Sequence, residues 1–239
     1  MFAYDDDLPQ LEFPWLTSAL IAVCSLIFIG EEFMSPRNHF IFELRFGCIP
    51  AVFTGHYPPG SPYIELGFGH MHGAMTLLTS AFLHAGWTHL IGNMLFLWVF
   101  GRHIEDSMGR LGFVIFVVIC SITSSLVQVL SHPSSVAIGL GASGFISGMM
   151  GAYLALFPFA KMRMVLWAAG RLISFQVPAL LYLGLWIAFQ AIFATHPAQG
   201  PSDIAFWAHV GGFVTGAVLA WALNQLGVIA TYADGKAVG

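Results

Sequence analysis

The stretch GLGASGFISGMMGAYLALFP, residues 139–158, holds no charged side chain and repeats small residues at four-residue spacing, Gly144 and Gly148 on one row and Ser147 and Gly151 on the next. That spacing marks a helix face which another helix backbone can approach closely inside a bilayer. A second stretch, FWAHVGGFVTG at residues 206–216, offers a matching face, with Gly212 and Gly216 four residues apart on a helix that also carries His209. Packing the two faces together would bring His209 beside Ser143.

The rest of the chain is built for the same solvent. Of its 239 residues 57% are hydrophobic and 8% charged, against roughly 25% charged in a soluble domain. A span needs about 20 mostly apolar residues. Apolar runs predict six spans, at about 15–33, 87–105, 111–131, 142–160, 178–194 and 204–226. The run from Met164 to Ala194 is interrupted by Arg171 and Pro178, so its spanning part is expected from Pro178 on. Turn-forming and charged segments separate the runs, as in GRHIEDSMGR and SHPSS. Residues 34–86 carry Arg37, Glu43, Arg45 and Glu65 and are rich in proline and glycine from His56 to Gly69; with their aromatic residues they read as a long, partly helical first loop resting at the membrane interface. The fold class expected is therefore an all-α membrane protein, a six-helix bundle forming one domain over residues 1–239.

Charge sets the orientation. Arg102, Arg110, Lys161, Arg163, Arg171 and Lys236 fall on one face of a six-span chain, and only Arg37 and Arg45 on the other. The positive-inside rule then puts both termini in the cytoplasm and the first loop outside, with the plasma (inner) membrane as the expected location. The acidic start MFAYDDDLPQ does not read as a cleaved signal peptide, so the first apolar run is expected to stay as an anchor. No Lys/Arg run exists that could neutralise a phosphate backbone, which argues against nucleic acid as a partner. Cys24, Cys48 and Cys120 are scattered, without CxxC spacing, and read as small apolar fillers.

Polar side chains within spans are costly and are candidates for function. His89 and Asn93 are four residues apart and share a helix face, where they could act on a substrate or simply join helices by hydrogen bonds. His84, about a turn earlier, is expected at the water boundary. Ser143 would sit in the first turn of its helix, where unpaired N–H groups favour a developing negative charge, with Gly141 and Gly144 beside it leaving room for a substrate backbone. Alone, that glycine pattern could equally be a packing face. Serine needs an adjacent base because its hydroxyl is a poor nucleophile at its free pKa, and His209 is the candidate.

Three segments in order, LLTSAFLHAGWTHLIGNMLFLWVFG (77–101), GLGASGFISGMMGAYLALFP and FWAHVGGFVTG, resemble the signature segments of the rhomboid family of intramembrane serine proteases. The resemblance covers most of Leu77 to Leu219. It implies Ser143 as nucleophile and His209 as general base, with no third carboxylate. It further implies that the oxyanion is stabilised by His89, Asn93 and the backbone around Gly141 and Ser143. It implies substrates that are transmembrane proteins in the lipid bilayer, and neither metal nor cofactor. Glu105 matches an acidic position the family places after the second span. Two positions depart from the family pattern: Leu44–Arg45 stands where a Trp–Arg pair is common, and Ser147 where some members carry an aromatic residue packed on the base.

Three other functions fit parts of the sequence less well. A transporter or channel also uses broken helices and intramembrane His and Asn, but no inverted repeat or intramembrane carboxylate supports it. A catalytically inactive relative that only binds transmembrane clients would have little reason to keep both Ser143 and His209. A metalloprotease lacks the HExxH motif, and the only close histidine pair, His70 and His72, lies in the first loop.

Overall fold

The computed structural model describes residues 2–56, 67, 70–168, 170–195, 205–229, 231–233 and 236–238. Its helices are α1 (Trp15–Glu32), α2 (Pro36–Phe46), α3 (Pro50–Thr54), α4 (His70–Thr79), α5 (Trp87–Ser131), α6 (Ser143–Leu156), α7 (Ala179–Thr195) and α8 (Phe206–Gln225). Three of these, α1, α5 and α8, are long and apolar enough to cross a membrane, and α6 and α7 are shorter apolar helices.

α5 corrects the expected boundary between the second and third spans. The span expected to end near residue 105 continues as helix to Met108, and the separation that GRHIEDSMGR was expected to provide is a break at Gly109. There φ is 66° and ψ 170°, a left-handed geometry that glycine adopts without strain. Although three of the four are polar or charged, Arg102, His103, Ile104 and Glu105 are all buried. Glu105 has a structural task. Helix α1 starts after Pro14 with no side-chain cap of its own. The Glu105 carboxylate accepts the N–H groups of Leu16 (2.9 Å) and Thr17 (2.8 Å) and the Thr17 hydroxyl (2.8 Å). A carboxylate at a helix N-terminus satisfies orphan donors and complements the helix dipole.

A second correction concerns the all-α expectation. Lys161–Ala168 (β2) and Arg171–Pro178 (β3) form a hairpin, and Phe2–Asp5 (β1) pairs with β2 to make an antiparallel sheet. Short strands β4 (Thr231–Ala233) and β5 (Lys236–Val238) pair near the C-terminus. The apolar run Met164–Trp167 is therefore strand. Met162 and Met164 point into the core, while Arg163 and Trp167 are exposed, the alternation a half-buried strand requires. Asp5 joins the sheet to the bundle through Arg102 and also pairs with Arg163 on the neighbouring strand. Burial works to raise its pKa, but these two guanidinium groups hold the carboxyl below its ordinary value.

The first loop is partly helical, as expected, and is tied to the segment that leads into α6. Cys48 and Gly139 exchange backbone hydrogen bonds of 2.9 and 2.8 Å. Leu44 is buried with Ile49, Ala51 and Val52, against Ile138, so the apolar residue of the Leu44–Arg45 pair anchors the loop by packing. His70 and His72 belong to helix α4 within this loop. Residues 57–66 and 68–69 of the loop, and residues 196–204 at the expected start of the last span, lie outside the described residues. The three cysteines are free and buried.

Helix α6 is the centre of the bundle: eleven of its fourteen residues are buried. It meets α8 backbone to backbone. A Cβ on Gly212 would overlap the Gly144 carbonyl, one on Gly216 the Gly148 carbonyl, and one on Gly151 the Phe213 carbonyl. The two small-residue faces read from the sequence do pack together.

Candidate active site

This packing places the first turns of α6 and α8 side by side. Gly141, at φ 120°, turns the chain into α6, and its N–H donates to the Ser80 carbonyl at 2.9 Å. Its own N–H is thus already occupied, so what Gly141 contributes is clearance and not a free donor. Ser143 is the first residue of α6, where helix N–H groups lack intrahelical acceptors. His209 lies in the first turn of α8, whose Ala208 N–H donates to Gln128 Oε1 at 3.3 Å.

His209 Nε2 is 2.9 Å from Ser143 Oγ. On its other edge, His209 Nδ1 is 2.7 Å from Gln190 Oε1, on α7. Trp186, one turn earlier on α7, lies against the imidazole with centroids 5.8 Å apart and planes tilted by 37°. The aromatic partner absent at Ser147 is therefore supplied by a different helix. Ser147 instead donates to the Gly144 carbonyl at 2.6 Å and leaves space for Gly212.

His89 and Asn93 line the opposite side. A Cβ on Gly141 would sit 2.8 Å from His89 Nε2 and 3.5 Å from Asn93 Nδ2. His89 Nδ1 accepts the Ala85 N–H at 3.4 Å, which leaves the ring proton on Nε2, facing Gly141. Asn93 Nδ2 is buried and has no hydrogen-bond partner among the described residues. A buried donor without an acceptor costs about 1–3 kcal/mol, a cost that an anionic guest would remove. His84 differs from expectation. It is not at a water boundary but 1% exposed, with its ring 5.3 Å from that of His89. Burial, and secondly the neighbouring His89, depress its pKa to about 4.

Gln190 and Trp186 escaped the sequence reading. A signal for the first existed: Gln190 is the one amide in ALLYLGLWIAFQAIFAT, residues 179–195, and a polar group inside an apolar run is a functional candidate by default. Trp186 had none, since an aromatic residue in a span usually faces lipid or core.

Comparison with known proteins decides the family. The model of the rhomboid domain matches residues 72–226. The chain belongs to the rhomboid family. Among its relatives, Rhomboid protein 1, mitochondrial, of Saccharomyces cerevisiae is 31% identical over 172 residues, covering 68% of this chain and 46% of that protein. Rhomboid-like protein 11, chloroplastic, of Arabidopsis thaliana is 27% identical over 158 residues, 62% of this chain and 52% of that one. Rhomboid protease GluP of Bacillus subtilis is 32% identical over 150 residues, 62% of this chain and 26% of that one. The chain thus spans about half the length of the first two and about a quarter of the third. With its apolar helices, this rhomboid is an integral membrane protein. The two eukaryotic relatives are named for mitochondria and chloroplasts, and the plasma-membrane expectation draws no support from them.

Proposed function

We propose that this rhomboid is an intramembrane serine endopeptidase that cuts transmembrane protein substrates in or near the bilayer with a Ser143–His209 dyad. The observation that carries the reading is the 2.9 Å contact between Ser143 Oγ and His209 Nε2 at the first turn of α6. His209 Nε2 takes the hydroxyl proton as Oγ attacks the substrate carbonyl carbon. The resulting oxyanion is met by the Ser143 N–H, Asn93 Nδ2 and His89 Nε2. As the C–N bond breaks, the leaving amine takes the proton back from His209. Water then attacks the acyl-serine by the same route, freeing the acid and restoring the hydroxyl.

Six apolar helical segments, with α5 counted as two arms around Gly109, are read as six spans of one membrane domain. Both termini are assigned to the cytoplasmic side. Support comes from Arg102 and Arg163 meeting the N-terminal Asp5 at one end of the bundle.

Labelling of the detergent-solubilised chain by a serine-reactive fluorophosphonate tests the reading. The label should map to Ser143 by mass and disappear in both Ser143→Ala and His209→Ala. A folded chain that binds a single-pass substrate yet takes no label would instead be a client-binding relative without catalysis.

A further inference from the structure

An imidazole can serve as a base only through a nitrogen that carries no proton, so the neutral tautomer of His209 decides whether Ser143 can be activated. An amide oxygen can only accept. Gln190 Oε1 lies 2.7 Å from His209 Nδ1, a contact that is a hydrogen bond only when Nδ1 carries the proton, and in that tautomer Nε2 is free to accept from Ser143 Oγ. The opposite amide orientation would place an NH2 against Nδ1 and drive the proton to Nε2, where it would face the hydroxyl it is meant to accept from. Among the described residues no carboxylate contacts His209, and the ring is otherwise held by the tilted face of Trp186. Trp186 and Gln190 lie four residues apart on α7, so they share one helix face. That face meets His209 and Phe213, which are likewise four residues apart on α8, with Trp186 and Phe213 rings 6.1 Å apart.

We propose that Gln190 is a positioning residue for catalysis, which fixes the Nδ1-protonated tautomer and the ring orientation of His209 from helix α7. The inference rests on the dyad reading. It makes α7 part of the catalytic apparatus, although only Ala179, Leu183 and Ala194 of that helix are buried. It also assigns to a neutral amide the task that a buried aspartate performs in a Ser-His-Asp triad.

Gln190→Leu removes the acceptor while remaining at home in an apolar span, and Gln190→Glu keeps an acceptor at the same reach. Turnover of a single-pass transmembrane substrate, melting temperature, and the 15N signature of the His209 ring are to be measured in detergent. The His209 resonance is assigned by its loss in His209→Ala. Gln190→Leu should lower kcat about 10- to 100-fold with KM and melting temperature little changed, a part of the roughly 10²–10⁴-fold that general acid–base catalysis supplies as a whole. Gln190→Glu should restore turnover to within a few-fold. Wild type should show the proton on Nδ1, and Gln190→Leu a mixture of tautomers. Undiminished kcat in Gln190→Leu, or an unchanged tautomer, would overturn the inference and leave the dyad standing. A lowered melting temperature with normal kcat per folded molecule would overturn it as well, by making Gln190 structural. If Ser143→Ala or His209→Ala retained turnover in the same assay, the dyad itself would fall and the role of Gln190 with it.

Discussion

Gly212 and Gly144 meet backbone against backbone, so closely that a single Cβ on Gly212 would overlap the Gly144 carbonyl. Gly144 directly follows Ser143, and Gly212 lies three residues after His209, so this contact sets the spacing of the two candidate catalytic groups. Gly212→Ala should therefore force α8 away from α6. The cost expected is about 1–3 kcal/mol, as for overpacking of a dense core, together with a large loss of turnover per folded molecule. Gly184→Ala, where the added Cβ meets nothing within 4 Å, is the control and should leave both properties unchanged. Thermal melting and kcat of the two variants check this.

Asn93 and His89 are assigned to charge that appears only in the transition state. Asn93→Ala and His89→Ala should consequently lower kcat far more than they raise KM. Removing one oxyanion donor typically costs about 10²–10³-fold, and the remaining donors make the loss graded. If the pair served only to join helices, the variants would melt earlier and turn over normally.

How much of this could be read in the sequence follows from what each signal depends on. The facing glycines of GLGASGFISGMMGAYLALFP and FWAHVGGFVTG are a local pattern, and the pattern alone is enough to bring Ser143 and His209 together. The hairpin Lys161–Pro178 was missed because a short apolar run such as Met164–Trp167 fits a strand or a helix equally well until its partner is known. Helix over Arg102–Glu105 lies within the predicted span 87–105, but the burial of these charges is not legible there, because charges usually mark water and only the fold shows Asp5 and the start of α1 absorbing them. Gln190 could have been flagged as the lone amide of its run, but its partner could not, since the register of α7 against α8 is a tertiary fact. His84 reads as a boundary residue because nothing local shows that it is buried beside His89.

Burial of His84 gives a pH dependence with a definite sign. A histidine whose pKa falls from 6.5 unfolded to about 4 folded binds fewer protons in the native state. Its neutral burial is therefore fully accommodated above pH 6.5, and native stability is progressively lost as pH falls from 6.5 toward 4. Melting temperatures across this window should drop for the wild type, and drop less for His84→Leu. Equal slopes in the two proteins would remove His84 as the cause.

Orientation can be tested on described, exposed positions at opposite ends of the bundle. Cysteine at Ser134, between α5 and α6, should react with an impermeant thiol reagent from outside sealed membranes. Cysteine at Ser174, in the β2–β3 hairpin, should react only after permeabilisation. The native thiols are buried and should contribute little background. The reverse pattern would invert the topology.

The most direct measurement of the central claim is cleavage itself. Purified wild type, Ser143→Ala and His209→Ala are incubated with a single-pass transmembrane protein, and any product is mapped by mass. Wild type should make a defined cut in or near the transmembrane segment. Either variant, folded in detergent, should give no product above background, since dyad members act as a unit. Product formed by Ser143→Ala or His209→Ala at a rate comparable to wild type would contradict the central claim.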